Sequence, residues 1–160
     1  MKYRFWAQPI DATANLPIMP INTHRIPKRR ANLKDGTEMI ETLQQRVNAD
    51  AGLVRRGRYL TTTFLLEAGR TSWLISIFEG RIVSVASGPF VMPSSSFALR
   101  ASEEDWQKFW SKRPPPGSND LMALIKRRAL KAEGNLQVFM SHLRYFKEAL
   151  AKLRAEGAAA

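Results

Sequence analysis

Three runs follow one another in the middle of the chain, "RYLTTTFLLEAG", "TSWLISIF" and "RIVSVASG", each rich in Thr, Val, Ile and aromatic residues and each close to a two-residue period. The spacers between them, Gly69-Arg70 and Glu79-Gly80, are short enough only for hairpin turns. A chain constrained in this way builds an antiparallel meander, and an all-helical fold is excluded. A fourth strand, "SSFALRA", follows the Gly88-Pro89 and Pro93 interruptions, with Phe97, Leu99 and Ala101 alternating against Ser96, Ala98 and Arg100. "RALKAE" reads as a fifth.

The remaining segments carry helical spacing. A helix is expected from Thr37, its cap, with Glu38 and Glu41 near its positive end and Met39, Ile40, Leu43 and Val47 on one face. It stops between Asn48 and Gly52. Ser102 caps "EEDWQKFW", in which Trp106, Phe109 and Trp110 share a face, and the three prolines of "SKRPPPGS" end that helix. Ser118 or Asn119 is expected to cap "DLMALIKR". Asn135 caps a closing helix that runs to about Arg154, with Leu136, Phe139, Met140, Leu143, Phe146, Leu150 and Leu153 on one wide face. A second apolar strip of Val138, Tyr145 and Ala149, with His142 among them, is left over for the N-terminal tail, a partner subunit or a bound apolar molecule. The order helix, three strands, strand, helix, helix, strand, helix predicts an α+β fold, helices on a mainly antiparallel sheet.

Residues 1–36 differ from the rest. They hold four prolines, the cluster Lys28-Arg29-Arg30 and no regular period, and they carry +5 of the chain's formal +11. Such a segment is a tail, and the expected organisation is tail 1–36, one domain over 37–155, and a disordered C-terminus at 156–160. The excess of base invites nucleic acid, anionic membrane or acidic ligands. Cysteine is absent, and no stretch reaches the roughly 18 apolar residues of a membrane span. A soluble cytoplasmic protein is the expectation.

Catalysis is not expected, because general acid–base work needs positioned partners and none is visible. His24 lies in the tail and His142 stands alone; the serines of "PSSSF" lack a Gly-x-Ser-x-Gly elbow; Glu103, Glu104 and Asp105 are explained by their place at a helix start. No metal site, cofactor or glycine-rich phosphate loop is read. Specific nucleic-acid binding is not expected either, since the aromatic residues share an apolar face instead of interleaving with Arg55-Arg56-Gly57-Arg58, Lys112-Arg113 or Lys126-Arg127-Arg128.

The order of elements over Thr37 to Arg154 resembles the sterol carrier protein two-like lipid-binding domain. "ASEEDWQKFW" is similar to that family's acidic-start helix and "NDLMALIKR" to its short apolar helix. "RALKAEGN" is similar to its Gly-Lys-Leu-x-Ile-x-Gly-Asn/Asp strand and turn, with Leu130, Gly134 and Asn135 on matching positions. Arg128 and Ala129 stand where the family has glycine and lysine. The Arg127-Arg128 pair is similar to a bacterial branch that serves ubiquinone biosynthesis as a non-catalytic accessory lipid-binding factor.

The resemblance implies a five-stranded sheet with helices on one side and a hydrophobic tunnel between them. The tunnel would hold a fatty acid, acyl-CoA, sterol, phospholipid or isoprenoid quinone. The wall residues expected are Trp106, Phe109, Trp110, Leu121, Leu124, Ile125, Phe139, Met140, Leu143 and Phe146. Lys126, Arg127 and Arg128 are the candidates for an anionic head group at the mouth. Expected partners are the apolar ligand, an anionic membrane surface, and a second copy or partner enzyme docked through the last helix. The alternative function is an accessory protein-interaction subunit.

Overall fold

A computed structural model describes residues 39, 40 and 42–154. The tail, the expected cap Thr37 and the terminal residues 156–160 lie outside them. The elements in chain order are α1 (residues 42–49, with 39 and 40 also helical), α2 (Ala51–Arg56), β1 (Thr62–Ala68), β2 (Thr71–Phe78), β3 (Arg81–Ser87) and β4 (Phe97–Ala101). Then follow α3 (Glu103–Trp110), α4 (Leu121–Lys126), β5 (Leu130–Gly134), α5 (Leu136–Ser141) and α6 (Leu143–Ala151).

The five strands form one sheet in the order β3-β2-β1-β4-β5. All pairings are antiparallel except β1 with β4, which run parallel at the centre. The fold class expected from the sequence holds, an α+β layer on a mixed sheet that is mainly antiparallel. Strand alternation sends Phe64, Leu66, Trp73, Ile75, Ile77, Phe97 and Leu99 into one core with the inward residues of every helix. Leu65 and Ala98 point the other way and are buried separately from that core. The helices therefore cover one face.

Residue chemistry explains where the elements stop and start. Ser102 accepts from Asp105 N at 3.1 Å at the head of α3, as its N-cap position predicts. At α4 the cap is Asp120, accepting from Met122 N at 2.8 Å, and not Ser118 or Asn119. Gly134 ends β5 at φ +94, and a Cβ there would lie 2.7 Å from the Ser96 carbonyl oxygen, so only glycine lets Asn135 begin α5.

Two stretches differ from the sequence reading. Residues 51–56, which straddle and follow the expected end of the first helix and to which no element was assigned, form α2, because Asp50 accepts from Leu53 N at 3.0 Å and Leu53 is buried. Strand β1 accordingly starts at Thr62 and not at Arg58. The closing helix is also not continuous: it breaks at His142 (φ −116, ψ 24) into α5 and α6. No glycine or proline marks the break; packing imposes it, since it lets Phe139 of α5 and both Tyr145 and Phe146 of α6 reach the core. It also turns Leu136 and Met140, expected on the inward face, out to 37% and 46% exposure.

The sheet's two edges are treated differently. At β3, the Asn48 side chain donates to Ile82 O and accepts from Ile82 N, both at 2.9 Å, and Gln44 donates to Val83 O at 3.3 Å. Helix α1 thus occupies hydrogen-bonding positions on that edge. No helix among the described residues is long and apolar enough to cross a membrane.

Candidate functional site

The space between the sheet and the closing helices is filled by rings. Phe64 and Phe97 are register partners on the parallel β1–β4 pair, and their rings stack at 5.3 Å with an interplanar angle of 9°. Phe146 of α6 stands edge-on against both, at 5.4 Å from Phe64 and 5.2 Å from Phe97. Phe139 of α5 closes the group at 5.5 Å from Phe97 and 5.6 Å from Phe146. Edge-to-face pairs of this kind add about 0.5–1.5 kcal/mol each beyond the area they bury. On α3, Trp106 stacks on Trp110 at 5.0 Å and meets Phe109 edge-on at 5.8 Å. The Trp106 indole N–H donates to Glu67 O at 2.9 Å, tying α3 to β1.

Three polar atoms in this interior lack a hydrogen-bond partner among the described residues: Thr62 Oγ1, Trp73 Nε1 and Trp110 Nε1. A buried, unpaired donor or acceptor costs on the order of 1–3 kcal/mol.

The ten wall positions read from the sequence separate by burial. Trp106, Phe109, Trp110, Leu121, Leu124, Phe139 and Phe146 are buried, Ile125 and Leu143 are half-buried, and Met140 is exposed. Phe64 and Phe97, the sheet's half of the ring cluster, are not among the wall residues expected from the sequence. Their inward strand positions were legible, but nothing local pairs two strands separated by a third and a fourth run of residues. The second strip of the closing helix is also accounted for. Tyr145 and Ala149 are buried, Val138 packs against the core, and the Tyr145 hydroxyl donates to Gly80 O at 2.8 Å. His142 Nδ1 lies 3.3 Å from the Val138 carbonyl one turn back. Tyr145 therefore serves the chain's own interior, not a docked partner.

Of the three cations expected at the mouth, Arg127 is engaged: it donates to Ser118 Oγ at 3.1 Å and lies 3.5 Å from Asp105. Lys126 and Arg128 are exposed. Arg128 adopts φ +60, and the bonds Arg128 N to Ile125 O (2.9 Å) and Ala129 N to Leu124 O (3.0 Å) form a Schellman closure of α4. Glycine is the residue that takes this position without strain. Arg128→Gly should raise the unfolding free energy by about 0.5–1 kcal/mol, read as a higher denaturant midpoint at unchanged slope; a neutral or negative result would show that the arginine side chain contributes packing of its own.

No family model matches the chain, and no curated protein matches it. Solved structures do. A crystal structure of sterol carrier protein 2 aligns with a TM-score of 0.61 at 11% identity, over 75% of this chain and 96% of that one. The solution structure of a conserved hypothetical protein from Thermus thermophilus, described as a candidate sterol carrier protein, aligns with 0.57 at 10% identity, over 76% and 90%. A double mutant of a sec-alkyl sulfatase aligns with 0.50 at 11% identity, over 68% of this chain but 16% of that one. The chain therefore has the sterol carrier protein 2 fold, and that fold also occurs as a small part of a much larger enzyme.

Proposed function

We propose that the protein is a non-catalytic carrier or presenter of a hydrophobic ligand, taken up between the sheet and helices α5 and α6. The observation that carries this reading is the way α5 is held. Phe139 is its only buried residue, Val138 is partly covered, and Leu136 and Met140 flank it in solvent. A six-residue helix held by one fully buried side chain can open without the rest of the layer, at the cost of unburying Phe139. Withdrawal of Phe139 would bare Phe97 and Phe146, an apolar seat for an acyl, steroid or prenyl chain.

In this reading Trp106, Phe109, Trp110, Leu121, Leu124, Phe139 and Phe146 form the inner wall, and Ile125, Leu143 and Met140 its rim. Lys126 and Arg128 are the cations left to meet an anionic head group, while Arg127 orders the α3–α4 corner. Affinity comes from burying the chain, at roughly 25 cal/mol per Å² of apolar surface, and selectivity from the few polar atoms that meet it. Two solved neighbours named for sterol carrier protein support the choice of ligand class.

The test is organic extraction and native mass spectrometry of protein purified without detergent. A co-purifying lipid or quinone in near-stoichiometric amount is the expected result. A protein that carries nothing and leaves fluorescent fatty acids unbound would sink the proposal.

A further inference from the structure

Between Arg81 and Arg100 lie eighteen consecutive residues, Ile82 to Leu99, without one Asp, Glu, Lys, Arg or His, in a chain that is 24% charged. The middle of this run is the connection from β3 to β4. Its ends are clamped: Gly88 N donates to Ser72 O at 2.8 Å, and Ser96 N donates to Thr63 O at 2.7 Å. Pro89, Phe90 and Pro93 share with Leu65 a hollow of about 380 Å³ on the sheet face away from the helices. Between these anchors Val91 and Met92 project at 94% exposure each, with Met92 at φ +50. A long apolar side chain held in a left-handed conformation with almost no contact among the described residues gains nothing from them.

We infer that the Val91-Met92 tip is a membrane-docking point that enters the interfacial layer of an anionic bilayer. Three observations single out this occupant. The tip and its flanks bring no charge that would have to be desolvated on entry. Arg70, which makes no ion pair among the described residues, and Arg100 line the same hollow as Phe90 and Pro93, together with Glu67; Arg100 is shared with Glu67 and Glu133, so Arg70 carries the free charge beside the tip. The whole chain is at +11, which draws it to a negative surface before any apolar contact forms. The inference concerns the outer face of the sheet and stands whether or not the interior takes a ligand.

The chain has no cysteine, so a nitrobenzoxadiazole fluorophore on Met92→Cys reports that position alone. Emission should be solvent-like in buffer and shift to the blue on adding vesicles of phosphatidylcholine with phosphatidylglycerol. The same label on Tyr59→Cys, exposed at the opposite end of the strands, should not respond. In unlabelled protein, Val91→Ser with Met92→Ser should lower co-sedimentation with these vesicles about tenfold, with the melting temperature unchanged because neither side chain is packed. Equal sedimentation of that variant, or equal binding to purely zwitterionic vesicles, overturns the inference. So does emission already blue-shifted in buffer: lost on dilution it means that a second copy covers the tip, and retained on dilution it means that the rest of the chain does.

Discussion

Phe146→Ala is expected to lower the unfolding free energy by about 3–5 kcal/mol, which is much of the stability of a domain this size. Phe146 touches the rings of Phe64, Phe97, Phe139 and Tyr145, so truncation removes four aromatic contacts together with the transfer energy of one buried benzyl group. The neighbours come from the rigid β1–β4 pair and from two separate helices, which limits how far they can close over the gap. The measurement is urea unfolding at constant slope. The same variant also probes the proposed function. An apolar cavity between sheet and α6 should accept a fluorescent fatty acid, and saturating ligand should return part of the lost stability by mass action. If the variant is destabilised and gains no affinity for apolar probes, the space beside Phe146 is not continuous with a binding site.

Gly80→Ala comes second, at about 2–4 kcal/mol. Gly80 sits at φ +77 in the β2–β3 turn, where any other residue is strained. A Cβ there would lie 2.6 Å from Val54 O and 2.7 Å from Gly57 C, both backbone atoms at the end of α2. Backbone cannot swing aside as a side chain would, so α2 must move, and with it the seat of Tyr145, whose hydroxyl donates to Gly80 O. Tyr145→Phe separates the hydrogen bond from the steric effect and should cost less, about 1–2 kcal/mol. It also has a pH signature. Burial holds the Tyr145 phenol well above its usual value near 10, so the fold favours the neutral form. That stabilisation is complete below the unfolded-state value and is lost as pH rises through the higher folded-state value. Alkaline titration of stability should therefore fall less steeply in Tyr145→Phe than in the parent.

The strands were legible because a two-residue period with hairpin spacers has few other solutions: β2 and β3 fall on the stretches expected from sequence. Helix α3 was legible for the same reason, since Ser102 and the apolar triplet mark both its start and its inward face. Helix α2 was not, because six residues give a 3.6-residue period too little length to show. The break at His142 was not, because it answers to where Phe139 and Tyr145 must reach and not to any local breaker. Of the candidate site, the helix-borne rings Phe139 and Phe146 were readable from spacing, whereas their partnership with Phe64 and Phe97 depends on the parallel β1–β4 register, a contact between residues far apart in sequence. Arg128 shows the same limit at one residue. The sequence displays an arginine where the resembling family has glycine, but only the backbone shows the left-handed position that gives the exchange an energetic meaning.

The unequal edges of the sheet bear on how this protein behaves when concentrated. Open strands are templates, and a sheet with two of them can grow end to end without limit. Here Asn48 bonds both backbone groups of Ile82 and Gln44 takes Val83 O, so extension at β3 would first require α1 to let go. The β5 side carries no comparable clamp among the described residues. Two molecules meeting through β5 would each present a blocked side outward, so the encounter ends as a closed pair and cannot seed a filament.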